Sequence, residues 1–168
     1  MAPSILKGKA FKFGDNISTD LIIAGRYAHL RSNLPELAKH AMEDANPDFI
    51  KQVKPGDFIV GGSNFGLGSS REHAPLVIKM AGVSAILAKS FARIFFRNAI
   101  NQGLPVLICD TDKISQDDIL EIRLEEGIIN NVSRKESYRF TRIPQAMLNI
   151  LNEGGLIPYI NKHGDFKL

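Results

Sequence analysis

The chain has 168 residues, 44% hydrophobic and 23% charged, with a net charge of +3. That is enough chain for one domain with a real core, and its composition excludes disordered and fibrous classes. Acids and bases are interleaved with no basic block, so a nucleic-acid surface is not expected.

The opening stretch MAPSILKGKAFKFGDN contains no long apolar run, so neither a signal peptide nor a membrane anchor is expected. GKAFKFG reads as a first strand, and the polar turn DNISTD leads into a short apolar strand, Leu21 to Ala24. LPELAKHAMEDA keeps helical spacing behind a cap at Asn33, with Pro35 in the first turn. NPDFIKQV reads as a short helical piece closed by the turn KPGD, and FIVGGS as a buried strand. REHAPLVIKMAG is expected to be a helix beginning near Ser70 and ending at Gly82, with Leu76, Val77 and Met80 as its apolar stripe. VSAILAK is a strand, SFARIFFRNAINQG a helix capped by Ser90 and stopped at Gly103, and LPVLICD a buried strand holding Cys109.

The repeated order of strand, loop, helix and strand predicts α/β architecture around a parallel sheet. Towards the C-terminus the pattern changes. ILEIRLEEG and IINNVSRKESYRFT alternate every second residue, which predicts antiparallel strands with turns at Gly127 and Arg134–Lys135. IPQAMLNILNEGG reads as a final amphipathic helix. Without repeats, low-complexity tracts or a linker, residues 1–168 read as a single domain. The one cysteine, Cys109, forbids an internal disulfide and points to the cytoplasm.

Chemistry concentrates in GGSNFGLGSSREHAP, Gly61 to Pro75. A glycine-rich turn between a strand and a helix can be pure geometry. Nucleotide readings fail, because no lysine follows the glycines as in a P-loop and G-x-G-x-x-G is not matched. No G-x-S-x-G elbow is present, so the serine-hydrolase reading fails too. The placement of the polar groups is more informative. With a helix starting near Ser70, the amides of Ser69, Ser70 and Arg71 would open on an anion site at its positive end. Arg71 adds a planar fork suited to a carboxylate. Ser69 lies in the same positive field, which would stabilise its alkoxide. A small polycarboxylate is the expected guest.

GSNFGLGSSREHAP, with FGDNISTDLI before it and KSFARIFFRNAINQGLP after it, resembles the small subunit of the aconitase-type dehydratases. That group includes 3-isopropylmalate dehydratase, homoaconitase and dimethylmalate dehydratase. The likeness runs from about Gly8 to Gly155. It implies a three-layer β/β/α swivelling domain and a reversible removal of water from a hydroxy-di- or tricarboxylate, followed by re-addition in isomerising members. By the motif match, Ser69 is the base, while Ser70 and Arg71 hold substrate carboxylate. Glu72 and His73 receive no chemical step. Glu72 would complement the helix N-terminus, and His73 would pack or hydrogen-bond under the loop.

The family's [4Fe-4S] cluster needs three protein thiolates, and this chain has one cysteine. The resemblance therefore implies no metal site here and a large dehydratase subunit as partner, which supplies cluster, iron and general acid. Specificity in the family is attributed to the loop after the first Thr-Asp, here RYAHLRSNLPE. Arg31 in that loop would suit a distal carboxylate, with Arg26 the weaker candidate. Ala28 and His29 stand between Tyr27 and Leu30, a departure from the family's short pattern that leaves the register of Arg31 open. The commonest substrate of free-standing small subunits, 3-isopropylmalate of leucine biosynthesis, is the expected one. Homoaconitate and a methylated malate are the alternatives, and Arg31 leans towards them. An RNA-binding module or a purely structural subunit is the reading from a different class. No RRM or KH signature favours the former, and the Ser-Ser-Arg constellation opposes the latter.

Overall fold

The computed structural model describes residues 5–165 as a curled, mixed seven-stranded sheet with helices packed on it. The strands are β1 (Ile5–Lys12), β2 (Phe58–Val60), β3 (Ala85–Ala88), β4 (Val106–Ile108), β5 (Ile119–Arg123), β6 (Ile128–Asn131) and β7 (Glu136–Arg139). Their order across the sheet is β4-β3-β2-β1-β5-β6-β7. β1 to β4 pair in parallel, as expected of strands joined by helices, and β5 to β7 form the antiparallel meander. β1 belongs to both halves. Its residues Ala10 to Lys12 pair parallel with β2, whereas Ile5 to Lys9 pair antiparallel with β5. The parallel centre and β-rich C-terminal part are thus one continuous sheet joined through this strand.

The expected strand at Leu21–Ala24 is instead the helical turn α1 (Thr19–Ile22), followed by a 3₁₀ helix at Gly25–Leu30. The Ser18 hydroxyl accepts the Leu21 amide, a side-chain cap that favours the helical turn. Asn33 caps α2 (Leu34–Ala38) as anticipated, and α3 (Phe49–Gln52) follows. α4 (His73–Met80) starts three residues later than expected, because the Arg71 amide bonds the Ser69 carbonyl and holds that stretch in a tight turn. Its buried face is Ala74, Pro75, Val77 and Ile78, and Met80 is exposed.

Ser90 does not cap α5 (Arg93–Asn101). Its hydroxyl accepts the Asn64 amide across the fold, so a tertiary bond replaces the local one. Cys109 directly follows β4 and is half-buried, its amide extending the ladder to Ala88. The final helix expected from the sequence is α6 (Gln145–Asn152), and a further helix, α7 (Leu156–His163), follows it. The expectation for residues 1–4 lies outside the described residues. Among the described residues, no helix is long and apolar enough to cross a membrane.

The core joins the two faces of the parallel half. Phe11 meets Phe49 edge-on at 5.0 Å, and Phe13 meets it at 5.9 Å. A second aromatic cluster lies beneath the glycine-rich loop and decides where that loop can move.

Candidate active site

The loop between β2 and α4 is fixed at its first half and open at its second. Phe65 is fully buried, with its ring against Phe91 at 6.0 Å and Phe95 at 5.5 Å. Its amide donates to the Ser90 carbonyl, and the Ala92 amide donates to Phe65 in return. Gly66 follows at φ +83°, and a Cβ there would fall 2.2 Å from the Phe95 ring. Only glycine meets both conditions. From Gly68 (φ +104°) the chain turns outward, leaving Ser69 and Ser70 exposed.

The other support is the segment before α1. The Thr19 amide donates to Leu67, and the Thr19 hydroxyl, on a buried side chain, donates to the Ser69 carbonyl at 3.0 Å. The sequence motifs ISTD and GLGSSRE are therefore one site because hydrogen bonds place them side by side. The backbone of Ser69 is held from two directions, by Thr19 and by the Arg71 amide, while its hydroxyl has no hydrogen bond among the described residues.

Arg71 is aimed rather than loose. Its Nη1 donates to Asp20 Oδ1 at 3.1 Å and to the Ile23 carbonyl at 2.7 Å. Nε and Nη2 have no such partner among the described residues, so one edge of the fork is free for a carboxylate. Gly25 leaves room for this, since a Cβ there would sit 3.4 Å from Nη2. The pair with Asp20 is partly exposed, so its effect lies more in orientation than in stability. Asp20 also accepts the Gly25 amide. It is the residue sequence reasoning missed, although the Thr-Asp of DNISTDLI was part of the motif that marked the site.

Two cavities flank this ridge. The larger, about 420 Å³, has walls from Ile23, Ala24, Tyr27, Ala28, Leu37 and Arg31, and reaches Ser70 through His73. The smaller, about 320 Å³, is lined by Ser69, Ser70 and Arg71 on one side and by Arg93, Ile94 and Asn98 of α5 on the other. Both are of a size for small ligands. Ser70 and Arg71 belong to both, Ser69 to the smaller and Arg31 to the larger.

The anion site expected at a helix start near Ser70 is displaced, since α4 begins at His73. The positive charge beside Ser69 comes from Arg71 and from Arg93, which has no hydrogen bond or ion pair among the described residues. Arg93 lies in the quoted KSFARIFFRN stretch, and only its place beside the loop reveals it.

Arg31 shares the larger cavity with Arg71, and its Nε donates to the Ala28 carbonyl at 3.0 Å. Arg26 is committed elsewhere, with both fork nitrogens on Asp44 at 2.9 and 2.7 Å. Glu72 occupies the cap position of α4 without a capping hydrogen bond, and its carbonyl accepts Gln102 Nε2. His73 opens α4 and lines the larger cavity.

The donor set does not suit an iron–sulfur cluster. Burial pushes the Cys109 thiol up to about 12, with Asp110 acting in the same direction. Among the described residues, no group of three His, Cys, Asp or Glu side chains could hold a metal ion.

A family model for the aconitase C-terminal domain matches residues 12–111. The chain is 65% identical to the 3-isopropylmalate dehydratase small subunit 2 of Archaeoglobus fulgidus, over 96% of this chain and 98% of that one. It is 52% identical to the isopropylmalate/citramalate isomerase small subunit of Methanocaldococcus jannaschii, covering 95% of each. A crystal structure of 3-isopropylmalate dehydratase from the same organism matches with a TM-score of 0.92 at 46% identity, again over 95% of each chain.

Proposed function

The chain belongs to the aconitase C-terminal domain family, and from that membership we propose that it is the small subunit of a 3-isopropylmalate dehydratase in leucine biosynthesis. It is a hydro-lyase component, one swivel domain working in the cytoplasm against a large subunit that carries the [4Fe-4S] cluster. The observation that carries the site assignment is the ridge Ser69–Ser70–Arg71 between two cavities, with the Arg71 fork aimed by Asp20.

In this reading Ser69 removes the proton from the carbon next to a substrate carboxylate. A serine alkoxide is normally far too costly at neutral pH, and the cations of Arg71 and Arg93 beside it lower that cost. Arg71 and Ser70 hold the carboxylate so that the acidic C–H faces Ser69. Thr19, through the Ser69 carbonyl, fixes the direction of approach. The larger cavity takes the rest of the substrate. Its Ile23, Ala24, Ala28 and Leu37 walls suit an isopropyl group. Arg31 at the same cavity supports a second reading, homoaconitate, whose distal carboxylate it would meet.

The decisive experiment is reconstitution. This chain mixed with its large subunit should dehydrate 3-isopropylmalate and rehydrate the unsaturated diacid so formed, whereas either chain alone should do neither. Assembly with full turnover of homoaconitate and none of 3-isopropylmalate would transfer the assignment to the second reading.

A further inference from the structure

The 3₁₀ helix Gly25–Leu30 forms a wall of the larger cavity through Tyr27 and Ala28, with Arg31 at its end. None of its residues is buried, and no side chain caps its start. Helices of this kind have poor hydrogen-bond geometry and need support from outside. Tyr27 and Leu30 pack in part against the core, and the polar side-chain support comes from one neighbouring segment, residues 40–44.

Arg26 grips Asp44 with two parallel bonds and reaches Glu43 at 3.3 Å. The Tyr27 hydroxyl donates to the same Glu43 oxygen. The Tyr27 ring stacks on the His40 imidazole, with centroids 3.8 Å apart and planes within 15°, and Arg26 lies 4.8 Å from its centre. His40 Nδ1 stands 3.5 Å from Glu43. The Tyr27 hydroxyl bond, aided by His40 and Arg26, holds the Glu43 carboxyl below its usual range. His40, Glu43 and Asp44 thus converge on Arg26 and Tyr27, on a helix whose own contacts with the core are the partly buried Tyr27 and Leu30.

We propose that Arg26, His40, Glu43 and Asp44 form a clamp that positions Tyr27, and that Tyr27 so placed is a specificity-determining wall of the substrate cavity. The clamp residues do not line the cavity, so they act through Tyr27 and are positioning residues. This inference rests on the dehydratase reading above for its substrates, but not for the mechanical part. With the clamp intact, the wall excludes substrates whose side groups do not fill the space it leaves. With the clamp broken, the wall relaxes, binding weakens, and the chemistry at Ser69 on the other side of Arg71 proceeds as before.

The test compares complexes of the large subunit with wild-type chain, Arg26→Gln, Asp44→Asn, the double variant and Tyr27→Phe. The KM for 3-isopropylmalate should rise about 5- to 10-fold in the Arg26 and Asp44 variants, with kcat within about 2-fold. Preference for 3-isopropylmalate over citramalate should narrow by a similar factor. The double variant should be no worse than Arg26→Gln alone, because Asp44→Asn removes a pair that Arg26→Gln has already broken. Tyr27→Phe should produce a smaller shift in the same direction. A lower Tm with KM and preference unchanged would show a merely structural pair and overturn the proposal, as would a loss confined to kcat.

The second measurement needs no substrate. In the free chain, Arg26→Gln should speed amide exchange about 10-fold at Tyr27 and Arg31, whose N–H groups bond Ala24 and Ala28, and leave Ile86 unchanged. Unchanged exchange at Tyr27 and Arg31 would overturn the clamp. A wild-type complex inactive on every hydroxy-dicarboxylate would instead overturn the dehydratase reading, with the exchange result still deciding the clamp.

Discussion

The two cavities beside Arg71 share a wall and differ in almost everything else. The smaller is built from the glycine-rich loop and α5, which are tied together by the Phe65, Phe91 and Phe95 rings and by backbone bonds. The larger is bounded by a surface 3₁₀ helix held by side chains on residues 40–44. A base must be fixed closely relative to the bond it attacks, and an aromatic core supplies that rigidity. A pocket that selects among side groups can rest on surface contacts, which change without disturbing the chemistry. On the proposed assignment of Ser69 to the chemistry and the larger cavity to the side group, reaction and selection are mounted on separate supports, with Arg71 between them.

The division can be broken most severely at Ser69. Ser69→Ala in the assembled complex should lower kcat by about 10²–10⁴-fold with KM little changed, as loss of a general base does. Near-native kcat would remove the base from the smaller cavity. Arg71→Lys strikes the shared wall, and should raise KM about 10- to 100-fold because an ammonium cannot make the two-pronged carboxylate contact. Steady-state kinetics on 3-isopropylmalate would read both. Arg93→Gln tests whether the smaller cavity's field depends on a second cation. A fall of about 10-fold in kcat is expected, against an unchanged KM. Arg31→Val is the mildest, acting only on the larger cavity. It should leave 3-isopropylmalate turnover near wild type while lowering kcat/KM for homoaconitate by several-fold to about 10-fold. Equal changes on both substrates would make Arg31 a surface residue.

Where local signals dominated, the sequence was easy to read. Strict alternation marked β5 to β7, and their turns at Gly127 and Lys135 both have positive φ. Asn33 capped α2 where its type and position said it should. The failures have tertiary causes or ambiguous signals. Leu21–Ala24 is too short for apolar spacing to separate strand from helix, and the Ser18 cap was the deciding signal. Ser90 looked like a cap, but Asn64, distant in sequence, takes its hydroxyl. α7 went unseen because Gly154 and Gly155 read as an end, yet Gly155 at φ +135° begins a new helix.

The site was legible in part, with a similar boundary. Ser69, Ser70 and Arg71 stood out as a cluster in one loop, and the structure places Arg31 on the larger cavity that Arg71 also lines. Asp20 and Arg93 did not stand out. One is a carboxylate whose partner lies across the fold, and the other a cation whose value depends on having no partner. Arg26 shows the reverse. Its type and place suggested a ligand contact, but Asp44 and Glu43 occupy its fork.

The divided pairing of β1 also sets a timetable for the growing chain. Ile5 pairs with Arg123 and Lys9 with Ile119, Ala10 adds backbone bonds to Asp117 and Asp118, and the other flank of Ala10 to Lys12 pairs with β2. Synthesis from the N-terminus therefore delivers every strand of the parallel half before the first strand of the meander. Until residue 123 has left the ribosome, one flank of β1 is an open row of backbone donors and acceptors. Contacts so distant along the chain form slowly, because a long loop must close before they stabilise anything. The hazard for this protein is thus greatest during synthesis, when a stray strand from a second nascent chain could take the place reserved for β5.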